Sequence, residues 1–436
     1  MNGFEIGLIG IGCLLTLTAL GVHVGIAILS VGIVGFIVTA GPQFAEIQLT
    51  NLPYQTSHQY SFIVVPMFVL MGGFAAQAGI VRDVYTAAYK WTSGVRGGLY
   101  IATCAASAGF SAISGSTVVN SAVFTRIALP EMIRFGYSRA LGAGCIAAAG
   151  TFAALIPPSL SFVIYGILTG ESIGALLVAG IIPGLMTAVV YITMIPVLVR
   201  IWPSLAPDTS ERFSFGEKVR SLNGLWSMGL LMVLVLGGIY GGFMPPSAAG
   251  AVGAVGALVI ALTKRRLGPR SIHECLTQSA ITSASLFLIL IGGFVFGRFL
   301  VISGFIGELN GLLSASGITA SQFMAMLVIT YLILGMLIDP ISMLAMTIPI
   351  VAPLTASFGL DPIWFAVIVV KLIEIAVITP PVGVNLFAVV AASQGQVKTA
   401  EVFRGVLPFV LIELVILMIL IAFPAISTWL PSTMAG

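Results

Sequence analysis

Long apolar runs alternate along the chain with short polar interruptions, and the run lengths predict helices that cross a bilayer. Runs near 5–22, 24–41, 61–80, 140–168, 173–199, 224–241, 247–263, 281–303, 362–392 and 405–430 are each long enough for roughly 30 Å of hydrocarbon. Basic residues near helix ends mark the cytoplasmic side. They place Arg82, Lys90 and Arg96 inside, then Arg126, Arg134 and Arg139, Arg200 to Arg220, Lys264 to Arg270, and Lys398 with Arg404. The segments 42–60, 304–321 and 351–361 contain no Lys or Arg and are expected to be loops facing outside. Two further runs, 97–125 and 322–350, are too short for two crossings of about 20 residues each, yet they leave on the side they entered. They are expected to be re-entrant hairpins that point at each other. The first enters from inside with its tip at Ser111 to Thr117, the second from outside with its tip at Gly335 to Pro340. Both chain ends then lie outside.

The special backbone points come in pairs. Pro130, Phe135, Gly136, Pro157 and Pro158 reappear at a constant offset of 223 as Pro353, Phe358, Gly359, Pro380 and Pro381, and Gly72-Gly73-Phe74 matches Gly292-Gly293-Phe294 at an offset of 220. Charge bias and spacing together predict an all-α polytopic protein of two inverted repeats, the signature of a secondary transporter. The first repeat, 1–200, holds scaffold helices over 5–80, the hairpin, a broken helix 140–168 and a helix 173–199. A polar cytoplasmic connector, 201–223, includes Asp208, Glu211, Arg212, Glu217 and Lys218. The second repeat, 224–436, holds scaffold helices over 224–303, its hairpin, a broken helix 362–392 and a helix 405–430.

Composition narrows the function. The 436 residues are 58% hydrophobic and 8% charged, with a mean hydropathy of +1.13. A soluble surface is about a quarter charged or more, so lipid is the solvent. Cys13, Cys104, Cys145 and Cys275 lack the short paired spacing of a disulfide framework or zinc site. Met1 to Gly12 has no basic segment ahead of its apolar run, so the first helix is expected to stay as an anchor. There is no phosphate-cradling GxxxxGK[ST] loop and no HExxH, and His23, His58 and His273 are scattered. Nucleotide-driven transport and metal hydrolysis are disfavoured. The net charge of +3 is assigned to membrane orientation, not to nucleic acid. A channel, which would show sodium-independent flux, and a membrane-embedded enzyme, which needs a nucleophile, base or metal set, are the alternatives from other classes.

Gly150 to Ser159 and Ala376 to Asn385 each put a double proline inside a spanning run. Proline removes an amide donor and clashes with the preceding turn, so carbonyls are freed at membrane depth, where irregular backbone is tolerated only inside protein or beside a watery cavity. Such carbonyls can bind Na⁺. A kink that merely shapes packing is the alternative, and two symmetric copies opposite two hairpin tips weigh against it. Asp339 is the one acidic residue within either hairpin and, at membrane depth, a functional candidate; an Asp-Pro turn or cap is its other reading. Lys371 and Glu374, three apart on one helix, read as a mutually neutralising pair. Arg298 either meets an anionic substrate through its planar fork or snorkels to the interface. Ser116, Thr117, Arg298, Asp339 and Asn385 are the candidate substrate contacts.

At these motifs the chain resembles a known family. FSAISGSTVVN (Phe110 to Asn120), GTFAALIPPSLSFVIYG (Gly150 to Gly166), GMLID (Gly335 to Asp339) and ITPPVGVNLF (Ile378 to Phe387) look like the large membrane subunit of tripartite ATP-independent periplasmic (TRAP) transporters, and the likeness covers nearly the whole chain. The resemblance implies an elevator transporter with a scaffold, a mobile transport domain and two Na⁺ sites. One site maps onto Ser111, Ser114, Ala153, Ile156 and Pro158, the other onto Gly335, Ala376, Thr379 and Val382. It also implies a Na⁺-coupled importer of small organic anions such as carboxylates, in the bacterial inner membrane. Its partners would be a small membrane subunit and an extracytoplasmic substrate-binding protein, both as separate chains. A stand-alone sodium-coupled dicarboxylate carrier of similar architecture is the alternative transporter. The sequence departs from the family with alanine for glycine at Ala153 and Ala376, and with Pro245-Pro246-Ser247-Ala248-Ala249 for a run that carries a glutamate. Backbone ligation tolerates the alanines where their angles allow; the role of the missing glutamate is left open.

Overall fold

A computed structural model describes residues 2–207, 211–336 and 338–434, and every regular element among them is helical. Leu337 of the second hairpin tip and Asp208 of the connector lie outside the described residues. The first half runs α1 (Gly3–Ala19), α2 (Val24–Ala40), α3 (Pro42–Ser57), α4 (Val64–Gln77) and α5 (Ile80–Thr92). Its hairpin is α6 (Gly98–Ser114) and α7 (Thr117–Arg134), its broken helix is α8 (Arg139–Gly150), α9 (Phe152–Leu155) and α10 (Leu160–Thr169), and it closes with α11 (Ile173–Ala179) and α12 (Ile181–Ile201). After the connector helix α13 (Phe215–Leu222) the second half follows with α14 (Trp226–Met232), a π-helical turn Val233–Gly237, α15 (Gly238–Tyr240), α16 (Pro246–Thr263), α17 (Pro269–Ile302) and α18 (Phe305–Ala315). Its hairpin is α19 (Ala320–Gly335) and α20 (Pro340–Ser357), its broken helix α21 (Pro362–Ala376) and α22 (Val384–Ala392), and it ends in α23 (Thr399–Ala422) and α24 (Ala425–Ser432).

Among the described residues, seven helices are long and apolar enough to cross a membrane, or eight if the pair bent by 40° at the α9–α10 break counts as one span. The count falls below the expected ten partly because α1 and α2, at 17 residues each, rise only about 26 Å. The expected loops 42–60 and 304–321 instead contain α3 and α18. Hydropathy hides α3 because Gln, Glu, Thr and Asn interrupt its apolar positions, whereas Pro42 at its first turn starts a helix well. Helices α5 and α18 occupy matching places ahead of the two hairpins, and each follows a left-handed glycine, Gly79 (φ +69) and Gly304 (φ +77). The second hairpin arms run on to Arg134 and Ser357, so the expected outer loop 351–361 shrinks to 358–361.

Packing repeats the internal symmetry. α17 lies along α2 as α4 lies along α16, and α7 packs on α22 as α10 packs on α20. Each half thus builds its neighbour's core. One glycine of each pair sits where these helices meet the hairpins: a Cβ on Gly72 would be 3.2 Å from the Ser114 backbone, and one on Gly293 would be 3.1 Å from the Ala345 carbonyl. At the face that the basic residues mark as cytoplasmic, Asp83 on α5 pairs with Lys264 at 2.8 Å and Arg266 at 3.8 Å. Tyr89 donates to Glu211 at 2.9 Å, and the Trp91 indole to the Lys218 carbonyl at 3.1 Å, so the connector is held against α5.

Candidate ion and substrate site

The first break shows how the sequence opens a helix. Pro157 and Pro158 have no N–H to offer the carbonyls of Ala153 and Ala154. The Ser159 hydroxyl makes a close contact with the Ala154 carbonyl, while that of Ala153 loses its helical donor. The first hairpin tip rests on this break. Gly115 takes a left-handed φ of +62, the Leu160 N–H donates to its carbonyl at 3.4 Å, and a Cβ on it would be 2.6 Å from the Pro158 carbonyl oxygen. Candidate residues from Ser111 to Ser114 therefore adjoin those from Ala153 to Pro158. Ser111 donates to the Ser107 carbonyl and accepts from the Asn120 amide, both at 2.7 Å. Ser114 Oγ, Asn120 Oδ1 and Ser121 Oγ are buried oxygens without a hydrogen-bond partner among the described residues. Buried oxygens normally have partners, and a donorless carbonyl among such hydroxyl and amide oxygens is the donor set of a hard cation. The first site fits Na⁺.

The second break is folded more tightly. Gly335 at the end of α19 lies so close to α21 that an added Cβ would be 2.1 Å from that of Ala376. Pro380 and Pro381 deprive Ala376 and Val377 of helical donors, but the Thr379 N–H bonds the first carbonyl and the Asn385 N–H the second, both at 3.1 Å. Each carbonyl keeps a second lone pair. The Thr379 hydroxyl donates to the Ile375 carbonyl at 2.7 Å, which leaves its own lone pairs free to accept. Gly383, at φ +55, turns the chain after Val382 into α22. Both double-proline peptide bonds are cis.

The candidate substrate residues divide. Ser116 caps α7, accepting from the Val119 N–H at 3.5 Å, and Thr117 beside it is buried. Asn385 lies on α22, against which α7 packs; its amide donates to the Ala147 carbonyl at 3.4 Å and its Oδ1 is buried without a partner. Asn385 thus links the second break to α8 of the first, while Ser116 and Thr117 follow the first tip. Exposed Arg298 instead lines a cavity of about 890 Å³ between α10, α17 and α20, together with Glu171, Thr169 and Thr355. Asp339 does not face the opposite repeat's freed backbone. It caps α20, accepting from the N–H groups of Ile341 and Ser342 at 3.1 Å each, and it borders the α1–α2 turn at Gly21 to Val24. The unpaired donors of the first turn of α20 capture its carboxylate.

Between the breaks lies a network that the sequence reading gave only in part. Lys371 is fully buried and pairs with Glu374 at 2.9 Å, but it also contacts Glu413 of α23, likewise buried, and donates to Thr187 at 3.0 Å. Tyr191 donates to Glu413 at 2.5 Å, and Thr151, at the α8–α9 junction, donates to Glu374 at 2.8 Å. The signal was present in Glu413, an acid inside the apolar run 405–430, and in the Thr151–Glu374 spacing of 223, which is the offset of the repeat.

Comparison with known proteins agrees with this architecture. Residues 11–426 match the family model described as the tripartite ATP-independent periplasmic transporter, DctM component. The C4-dicarboxylate TRAP transporter large permease protein DctM of Pseudomonas aeruginosa is 35% identical over 383 residues, 87% of this chain and 88% of that protein. The isethionate TRAP transporter permease protein DctMQ of Oleidesulfovibrio alaskensis is 30% identical over 87% of this chain and 59% of its own length. Among solved structures, the Alcanivorax borkumensis YdaH transporter, described as having an unusual topology, superposes with a TM-score of 0.63 over 90% of this chain and 91% of its own at 14% identity, a likeness of fold alone. The chain belongs to the tripartite ATP-independent periplasmic transporter family as its DctM component, a multi-pass permease and not an enzyme.

Proposed function

We propose that this permease is the transport-performing subunit of a Na⁺-coupled importer of small organic anions, working by an elevator movement in the bacterial inner membrane. The observation that carries the reading is the pair of helix breaks, each with a hairpin tip resting on it and each rich in oxygen donors. Na⁺ bound at such a site would be coordinated by the freed carbonyls and would lend positive charge to a neighbouring substrate anion. The chain's own part is to hold those oxygens in place and to keep lipid away from them. Hairpins and broken helices would move as one body against α2, α4, α16 and α17. The glycines at Gly72 and Gly293 support this, because a surface without side chains can slide past Ser114 and Ala345 without interlocking. The relatives' names mention C4-dicarboxylates and isethionate, both small anions, and the fused DctMQ name supports a small membrane subunit as a partner beside a substrate-binding protein. The substrate would meet Ser116, Thr117 and Asn385 in the transport body, with Arg298 drawing anions into the outer cavity.

Thr379→Val keeps the shape of the second break and removes one oxygen. It is expected to fold normally and to raise the Na⁺ concentration for half-maximal uptake several-fold, the scale of about 1 kcal/mol for one lost polar contact. Unchanged sodium dependence would return Thr379 to packing. From the charge frame both ends are expected outside. In a background freed of the four native cysteines, Asn2→Cys and Met434→Cys are expected to react with an impermeant thiol reagent in intact cells, and Arg212→Cys only after the membrane is opened. The reverse pattern would invert the topology.

A further inference from the structure

We propose that Glu374 is a positioning residue which, through Thr151, sets the first candidate sodium site from within the opposite repeat, so that one buried network aligns both breaks. Thr151 and Glu374 are 223 residues apart and Tyr191 and Glu413 are 222 apart, and each pair is in hydrogen-bond contact. Two residues related by an internal two-fold can touch each other only beside its axis. The network therefore sits on the axis that relates the repeats, equally placed with respect to both breaks. Its ends reach the breaks directly. Thr151 is the junction between α8 and α9, two residues before Ala153, and its hydroxyl also lies 2.7 Å from the Ala148 carbonyl. Glu374 lies in the last turn of α21, two residues before Ala376. Lys371 fixes the Glu374 carboxylate by a 2.9 Å bond and is itself held by Thr187 of α12 and Glu413 of α23. Every member of this chain of contacts has its partner, and all five side chains beyond Thr151 are wholly buried. A fully paired network in a low-dielectric interior is held rigid. A change in the direction of Glu374 would pass to Thr151 and from there to the donorless Ala153 carbonyl.

The inference rests on the sodium reading given above, and its test separates the two. The permease, reconstituted in nanodiscs with its small subunit, is melted over a series of NaCl concentrations at constant ionic strength, for the parent, Thr151→Val, Glu374→Ala, the double variant and Glu374→Gln. Each single variant is expected to raise the Na⁺ concentration that gives half of the thermal stabilisation about tenfold, the scale of a lost hydrogen bond to a charged group. The double variant is expected to shift no further than either single one. Glu374→Gln, which still offers polar atoms to both Lys371 and Thr151, should stay within about twofold. Parental half-saturation in a folded Thr151→Val or Glu374→Ala would overturn the proposal. Should Glu374→Ala not fold, Thr151→Val carries the test, since it leaves the Lys371 pairs intact. If the parent itself gains no stability from Na⁺, the sodium reading fails. The link between Thr151 and Glu374 is then read from the same cycle without Na⁺, where additive losses in melting temperature would overturn it.

Discussion

Replacing Lys371 by methionine is expected to deprive the permease of its fold. Among the described residues the ammonium is the one cation in contact with Glu374 and Glu413, and all three side chains are 0% exposed. Methionine fills nearly the same volume, so the loss is electrostatic: two carboxylates would stand together in a dry interior with no counter-charge. Removing one partner of a buried pair costs about 3–5 kcal/mol, a large part of the 5–15 kcal/mol typical of a folded domain. Little Lys371→Met protein should be recovered as a monodisperse peak in detergent. Adding Glu374→Gln and Glu413→Gln to Lys371→Met leaves a neutral cluster of the same shape and should restore recovery. A single Lys371→Met variant that melts with the parent would show that the network does not hold the helices together.

The second large effect concerns transport more than folding. Gly115→Ala puts a residue with a side chain at φ +62, which costs about 1–2 kcal/mol, and drives its Cβ to 2.6 Å from the Pro158 carbonyl oxygen. Backbone oxygen does not yield as a flexible side chain does. The hairpin tip must therefore lift from the break, separating Ser114 from Ile156 and Pro158. In protein that is recovered folded, uptake is expected to fall at least about tenfold. Gly136→Ala is the matched control: its φ is +76, but nothing lies within 4 Å of an added Cβ, so it bears the backbone cost alone. Equal uptake by the two variants would mean that contact between tip and break is irrelevant to transport.

The hairpins and breaks were legible because proline and glycine write backbone geometry directly into sequence. Gly115 ends α6 and Pro157 interrupts the helix that α8 begins, whatever surrounds them. Helix α3 was not legible, since hydropathy reports the preference for lipid and a helix that mixes Gln and Thr with Ile has little of it. Nor could the sequence show where Asp339 turns: Asp-Pro is compatible with a cap and with a binding group, and in the fold its carboxylate caps the first turn of α20. The pairing of Lys371 with Glu413 joins α21 to α23, 42 residues apart, and helical spacing says nothing about contacts between helices. The Thr151–Glu374 contact did leave a trace, because the internal symmetry brings equivalent positions together at its axis.

Sodium coupling is the claim on which the two breaks, the hairpin contacts and the transport reading all converge. It is tested most directly by uptake into proteoliposomes that hold the permease with its small subunit and are supplied with the loaded binding protein. Uptake is predicted to require an inward Na⁺ gradient and to rise with Na⁺ more steeply than a single site allows, since the two breaks would supply two sites. Uptake that persists undiminished when K⁺ replaces Na⁺ and only a proton gradient is present would contradict it.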